Sequence, residues 1–421
     1  MKVLIKQATI VSPPSPFNGH TKDILIDNGI IVSIGANINA EGAKVIEQGG
    51  LHASIGWMDI FSHFCDPGFE YRETLETGAN AAAAGGFTDV MALPNTNPAV
   101  HNKSQVEYIV QKAKLLPVNI HPIGAVTKNT EGNELAEMYD MQQSGAVAFS
   151  DGINAIQNSG LIIKALQYVK AFGGTIIQIP DDRSIAPNAL MNEGVVSTQL
   201  GLPGKPMMAE ELIIARDIKL ARYAGSKIHF TGVTSAKSLE YIKRAKESGI
   251  EVTCSVAPYH LFFTDEDLRS YDTNLKVNPP LRGKENKAAL LRGLLDGTVD
   301  CIASHHIPQN YDSKVCEFEY AKNGMAGLES LFGCIWSMAH SQWPLVDVVE
   351  RLSIAPRKIF GLPIPVIEEK ANACLTLFNP DAEYVFDETM IKSRSKNSAF
   401  VGRQLKGKVV GIVNGDKIYF N

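Results

Sequence analysis

Residues 209–256 read AEELIIARDIKLARYAGSKIHFTGVTSAKSLEYIKRAKESGIEVTCSV, and this run decides the fold. Two stretches with apolar residues at helical spacing, AEELIIARDIKLARYAG and AKSLEYIKRAKESG, each give way to a short β-rich run, SKIHFTGV and IEVTCSV. The alternation extends in both directions. WMDIFSH, FTDVMALP, VNIHPIGAV, AVAFSD and GTIIQIP precede it as candidate strands, VDCIASHH follows it, and SQVEYIVQKAKLL and SGLIIKALQYVKAFG are helical patterns between them. Eight strands joined by helical crossovers predict an α/β chain folded as a (β/α)₈ barrel over residues 52–365. Chemistry in that architecture sits at the C-terminal ends of the strands. The strand ends to inspect are His63, Pro94-Asn95, Asp151, Ile179, Gly232 and Ser304-His305-His306.

The two ends of the chain read differently. VLIKQATIV, DILIDNGIIVSIG and KVIEQGG alternate apolar residues between Asn-Gly and Gly-Gly breaks, which favours a small antiparallel β module in residues 1–51. Residues 366–421 repeat the pattern with ACLTLFNP, EYVF and KVVGIVNGDKIYF, where Asn414-Gly415 signals a hairpin. Pattern alone leaves open whether the two ends share one sheet.

A length of 421 residues suits a large barrel with an accessory module. A hydrophobic fraction of 45% with 20% charged residues is ordinary for a globular chain with a sizeable core. The net charge of −5 offers no electrostatic reason to bind nucleic acid. Cys65, Cys254, Cys301, Cys316, Cys334 and Cys374 are scattered without a CxxC pair, which fits a reducing compartment and argues against a zinc ribbon. The first twenty residues lack a signal-peptide pattern, and no apolar run reaches membrane-spanning length. The expectation is a soluble, cytoplasmic protein with no nucleic-acid or membrane partner.

The site question centres on Asp59-Ile60-Phe61-Ser62-His63-Phe64-Cys65-Asp66-Pro67-Gly68. Alternate residues on a strand face the same way, so positions 61 and 63 form a pair. His63 can donate a ring nitrogen to a metal; the phenyl ring of Phe61 has no lone pair to give. Four further segments complete the pattern: PGFEYRETLETGANAAAAGGFTDVMALPNTNP (67–98), GLPGKPMMAEELIIARDIKLA (201–221), APYHLFFTDEDL (257–268) and NPPLR (278–282), with the tail NSAFVGRQLKGKVVGIVNGDKIY. Together these segments, in this order, resemble the bacterial dihydroorotases of the cyclic-amidohydrolase group, within the amidohydrolase superfamily. The resemblance covers nearly the whole length. It implies a barrel with a composite β-sandwich module built from both termini.

It also implies a set of metal ligands, most of which this chain lacks. In the family, one or two divalent metals are held by a His-x-His on strand 1, a carboxylated lysine or aspartate on strand 4, histidines on strands 5 and 6, and an aspartate on strand 8. The corresponding residues here are Phe61 and His63, then Asp151, then Ile179 (or Gln178 after a slip of one place), then Gly232, then His305. One of the two metal positions would keep only Asp151, too little for a transition metal. The other would have His63, Asp151 and His305, the composition of an open mononuclear zinc site. The leading expectation is no metal, with these groups hydrogen-bonded in a former pocket; one zinc is the alternative.

The family's strand-8 aspartate shuttles a proton, and here His305 would have to serve as that base while also ligating metal. The substrate-carboxylate arginine of strand 1 is replaced by Cys65, which cannot reproduce a bidentate guanidinium. Asn95 and Asn278 stay at substrate-contacting positions, although asparagine in Pro-rich turns also has structural uses. Cys65 could be a nucleophile with His63 or His305 as base, or a buried structural thiol; the second reading leads. His229 and His260 read as satisfied core histidines. The glycines at 85–86 and 201–204 read as turns, and GMAGLES (324–330) lies near the loop that closes over substrate in relatives. The functional expectation is a dihydroorotase-like subunit of pyrimidine biosynthesis without hydrolytic activity, homo-oligomeric and paired with aspartate transcarbamoylase. The alternatives are an active cyclic-amide hydrolase with a reduced metal site and a metal-free small-molecule binder using the old pocket.

Overall fold

The computed structural model describes residues 2–421. Eight strands form one parallel sheet in sequential order: β1 (Trp57–Ser62), β2 (Phe87–Ala92), β3 (Asn119–Gly124), β4 (Ala148–Phe149), β5 (Ile176–Gln178), β6 (Ile228–Phe230), β7 (Val252–Val256) and β8 (Cys301–Ile302). They match the eight runs picked out in the sequence. Every residue of β1 and β2 is buried, as expected of parallel strands covered on one face by helices and on the other by the barrel interior. Helices Leu75–Ala84, Lys103–Ala113, Met138–Gln143, Ser159–Lys170, Met208–Ala224, Ala236–Glu247 and Lys284–Leu295 supply the crossovers, and Leu331–Ala339 and Leu345–Phe360 follow β8. Local sequence sets several helix starts. Asn158 accepts from the amides of Gly160 and Leu161, and Ser235 accepts from that of Lys237.

The barrel closes between its first and last strands. Ser62 bridges His306 in parallel, and the His63 amide donates to the His306 carbonyl at 2.8 Å. Beneath that seam lies the buried carboxylate of Asp59. It accepts from the amide (2.6 Å) and hydroxyl (2.9 Å) of Ser304, from the Ser62 hydroxyl (2.6 Å) and from the Phe61 amide (3.2 Å). Met58, Ile60, Phe61, Met91, Ile123, Ile177, Ile179 and Ala303 fill the interior around it.

The two chain ends do share a sheet. The strand Cys374–Val385 pairs antiparallel with His52–Ile55, aligning Leu375 with Ile55 and Phe378 with His52. The hairpin predicted at Asn414-Gly415 joins Gln404–Asn414 to Lys417–Phe420. The module is not purely antiparallel, because Lys2–Val11 pairs in parallel with both Lys44–Ile46 and His52–Ile55. Apolar alternation reports which face is buried and carries no information on strand direction. His52–Ile55, assigned from sequence to the barrel portion, is hydrogen-bonded in the module sheet, so the barrel begins at Trp57.

Gly56 is the joint between the two units. A Cβ there would lie 2.1 Å from Thr88 Oγ1, so only glycine fits. Its carbonyl accepts from buried Arg357 at 2.6 Å, and the same guanidinium donates to Asp89 at 2.5 Å. Trp57, packed on Phe332 and Phe378 with centroids 4.8 and 5.3 Å away, completes the contact. Among the described residues no helix is long and apolar enough to cross a membrane.

The seam gives a stability prediction. Asp59→Asn keeps the shape but turns one acceptor into a donor facing hydroxyls and amides, at a cost of about 3 kcal/mol. Urea denaturation should show a clearly lowered midpoint for this variant and none for Asp416→Asn on the exposed hairpin turn. Equal midpoints would mean the seam does not depend on the charge.

Candidate functional site

Four of the six ligand positions implied by the sequence meet at the C-terminal end of the barrel. Phe61 stacks on the His305 ring with centroids 4.5 Å apart and planes 28° off parallel. Gly232, at φ +70°, lies against the other part of the imidazole, where a Cβ would fall 2.6 Å from His305 Cε1. Ile179 shares the apolar cluster of Phe61 and is 2% exposed. A phenyl ring and a bare backbone therefore flank a single imidazole, and Ile179 lies in the cluster that holds the phenyl.

That imidazole is held by a polar chain which the sequence reading missed. Thr253 Oγ1 lies 2.8 Å from His229 Nδ1, His229 Nε2 lies 3.0 Å from Ser255 Oγ, and the Ser255 hydroxyl donates to Thr231 Oγ1 at 2.9 Å. Thr231 Oγ1 in turn lies 2.7 Å from His305 Nε2. A single direction of donation, from Thr253 to His305, satisfies every link with neutral histidines. The signal was present: His229 on β6 and Thr231 just past its end are two apart, as are Thr253 and Ser255 on β7, so each pair faces one side. His229 is a satisfied core histidine, as read. His260 Nε2 donates to the Pro279 carbonyl at 2.8 Å, but its Nδ1 has no partner.

The remaining candidates are engaged elsewhere. His63 Nδ1 accepts from the Cys65 amide at 3.0 Å. Asp151 accepts from the Thr127 amide at 2.8 Å and from the Thr127 hydroxyl. Asn95 donates to the Asp151 carbonyl at 2.9 Å and accepts from the Ile153 amide at 3.0 Å, so its amide shapes the loop after β4. Asn278 lines the mouth and reaches Asp181 at 3.4 Å. Cys65 is buried at φ +60°, and burial pushes its thiol up to about 12, which rules out an activated thiolate near neutral pH. GMAGLES is buried throughout, and the Gly327 amide donates to His306 Nδ1 at 3.2 Å, so this segment is a packed wall.

The residues do not fit the metal that the resemblance implies. His305 Nδ1 is buried without a partner, the one feature that would suit a ligand. Beside it, however, stand Phe61 and Gly232, with Ile179 in the cluster of Phe61; none of the three can ligate, and Asp151 is spent on Thr127. Among the described residues no three His, Cys, Asp or Glu side chains come together as a metal site; His63, Asp151 and His305 do not form one.

Above these residues the strand ends enclose a cavity of about 590 Å³. Its wall includes Arg72, Arg183, Lys205, Lys322, Asp181 and Tyr259, drawn from loops after β1, β5, β7 and β8. No single motif gathers them, so only the fold reveals the group.

The comparisons agree with this architecture. The family profile described as Dihydro-orotase-like matches residues 53–238. The chain is 40% identical over 420 residues to the dihydroorotase of Pelotomaculum thermopropionicum, covering 99% of this chain and 98% of that one. It is 39% identical over 423 residues to that of Geobacter sp. strain M21, covering 100% and 99%. Among solved structures, the L-hydantoinase of Arthrobacter aurescens superposes with a TM-score of 0.84 at 22% identity, over 99% of this chain and 95% of that one, a likeness of fold.

The buried histidines predict an acid-sensitive barrel. Desolvation lowers His63, His229 and His305 to about 3 and His260 to about 4; Arg72 adds to the effect at His63. In the unfolded chain these rings take up protons near pH ~6.5, so the unfolded state binds more protons below that point and stability is lost as pH falls. Asp151 opposes this, because burial raises it to about 6 and the folded state holds its proton first. Burial raises Asp217, Asp300 and Glu329 in the same direction as Asp151, so these carboxylates offset part of the histidine contribution, which is about 1.4 kcal/mol per pH unit for each ring. Urea midpoints should fall between about pH 7 and pH 5; a flat profile would mean that the rings are charged or solvated in the native state.

Proposed function

Because the chain belongs to the dihydroorotase family, we propose that it serves that family's setting in pyrimidine biosynthesis as a binding and assembly subunit, without metal-assisted hydrolysis. The observation that carries this reading is the Phe61–His305 stack over Gly232, in the place where the family's ligands would converge. In hydrolysis a divalent metal lowers the pKa of water and polarises the scissile amide. Here the groups available to hold it are too few. Nor is His305 a good base: burial lowers it to about 3, and its Nε2 is committed to Thr231. The substrate-carboxylate position is a neutral, buried thiol at Cys65.

A second reading is an active dihydroorotase or related cyclic-amide hydrolase working through one zinc. The full-length relatives, named as dihydroorotases at 38–40% identity, speak for it; the side chains at the barrel mouth speak for the first. Aspartate transcarbamoylase as partner, and self-association, belong to the first reading and rest on family membership alone.

Elemental analysis of untagged protein, with a dihydroorotate hydrolysis assay with and without added zinc, separates the two. The first reading expects no stoichiometric metal and no turnover. About one zinc per chain, with turnover abolished by His63→Ala, would overturn it. Phe61→His alone should restore neither metal nor turnover, because Ile179 and Gly232 still offer no ligand and His305 still fills the space beside Gly232. Rapid hydrolysis by that single variant would show that one side chain had been the only obstacle.

A further inference from the structure

We propose that the cavity at the barrel mouth binds a small phosphate-bearing molecule through Arg72, Arg183 and Lys322. The inference rests on the reading of this mouth as free of a metal centre. Four cations and one carboxylate line the cavity. Lys205 donates to both oxygens of Asp181, at 2.7 and 2.8 Å, so those two charges cancel. No carboxylate pairs with Arg72, Arg183 or Lys322 among the described residues. Three positive charges without an ion-pair partner thus line one concave space, where low-dielectric walls concentrate their field.

Their donors are also placed for a ligand. Arg72 spends Nε and Nη2 on the Pro308 carbonyl, at 3.0 and 2.9 Å, which fixes the guanidinium and leaves Nη1. Arg183 is held through Nη2 by the Ile153 carbonyl and Asn154, at 3.2 and 2.8 Å, with Nε and Nη1 left over. The ammonium of Lys322 is exposed and has no protein acceptor. At the floor, Tyr259 is 2% exposed, yet its hydroxyl makes no hydrogen bond within the protein. Ile179 and Ile307 complete an apolar floor. The occupant this suits has a compact neutral body below and two or three negative charges at the rim. A phosphate ester or diphosphate concentrates that charge and offers several acceptor oxygens, and a cavity of about 590 Å³ holds such a molecule.

Isothermal titration with inorganic pyrophosphate in EDTA-containing buffer tests this. The expected result is saturable binding at one site per chain, weakened about tenfold by Arg183→Gln or Lys322→Gln and further by the double variant. Both side chains are exposed, so neither change threatens the fold. Lys219→Gln, on a distant exposed helix face, should bind as wild type does, and raising the salt to about 1 M should weaken binding throughout. Absence of saturable binding, equal affinity in the variants, or succinate binding as tightly as pyrophosphate would overturn the proposal. Zinc and dihydroorotate turnover in the same preparation would sink the metal-free reading and this inference with it. A preparation with neither, and without pyrophosphate binding, would sink this inference alone.

Discussion

The structure depends on the buried carboxylate of Asp59. A parallel barrel closes only where its last strand meets its first, and those strands are about 240 residues apart in sequence. Asp59 spans that seam with bonds to Ser304 on one side and to Ser62 and Phe61 on the other. A charge buried at this depth is tolerated because every nearby donor is aimed at it. The same contacts set the directions of Phe61, His63 and His305, which leave the seam at the barrel mouth. Closure and the character of the site are therefore decided by one group of residues.

With the seam fixed, packed groups from the ends of the first, sixth and eighth strands fill the floor of the mouth. Phe61 occupies the strand position facing His305 and stacks on it, Gly232 admits no side chain, and the chain from Thr253 through His229, Ser255 and Thr231 engages the imidazole at Nε2. Apolar contact and neutral hydrogen bonds replace the charge that a metal centre requires. Above this plugged floor, positive side chains without carboxylate partners remain. The surface is thus better matched to an anion than to a cation, a reversal of the character that a metal site would have.

Much of this was legible beforehand. All eight barrel strands fall within the β-rich runs, because buried parallel strands leave dense apolar stretches between amphipathic helices. The absence of ligating side chains at 61, 179 and 232 was also plain, since it follows from residue identity. Strand direction in the β module was not legible, and neither was the place of His52–Ile55, whose pairing partners lie at both chain ends. Asn95 was read as a possible substrate contact, but its amide is consumed by the loop after β4. The sequence could not show that, because the partners are more than fifty residues away.

What the sequence by itself determined is periodic or chemical: the (β/α)₈ alternation, the Asn-Gly hairpin, the inability of phenylalanine, isoleucine and glycine to ligate. These properties belong to a residue and its near neighbours, so they survive without coordinates. Tertiary structure alone decided how distant residues share space. It stacked Phe61 on His305, committed Asp151 to Thr127, buried Cys65 beyond reactivity, and gathered Arg72, Arg183 and Lys322 around one cavity. The physical reason is that hydrogen bonds, desolvation and electrostatic fields depend on distances of a few ångströms, and in a closed barrel those distances are set by strand closure across the whole chain.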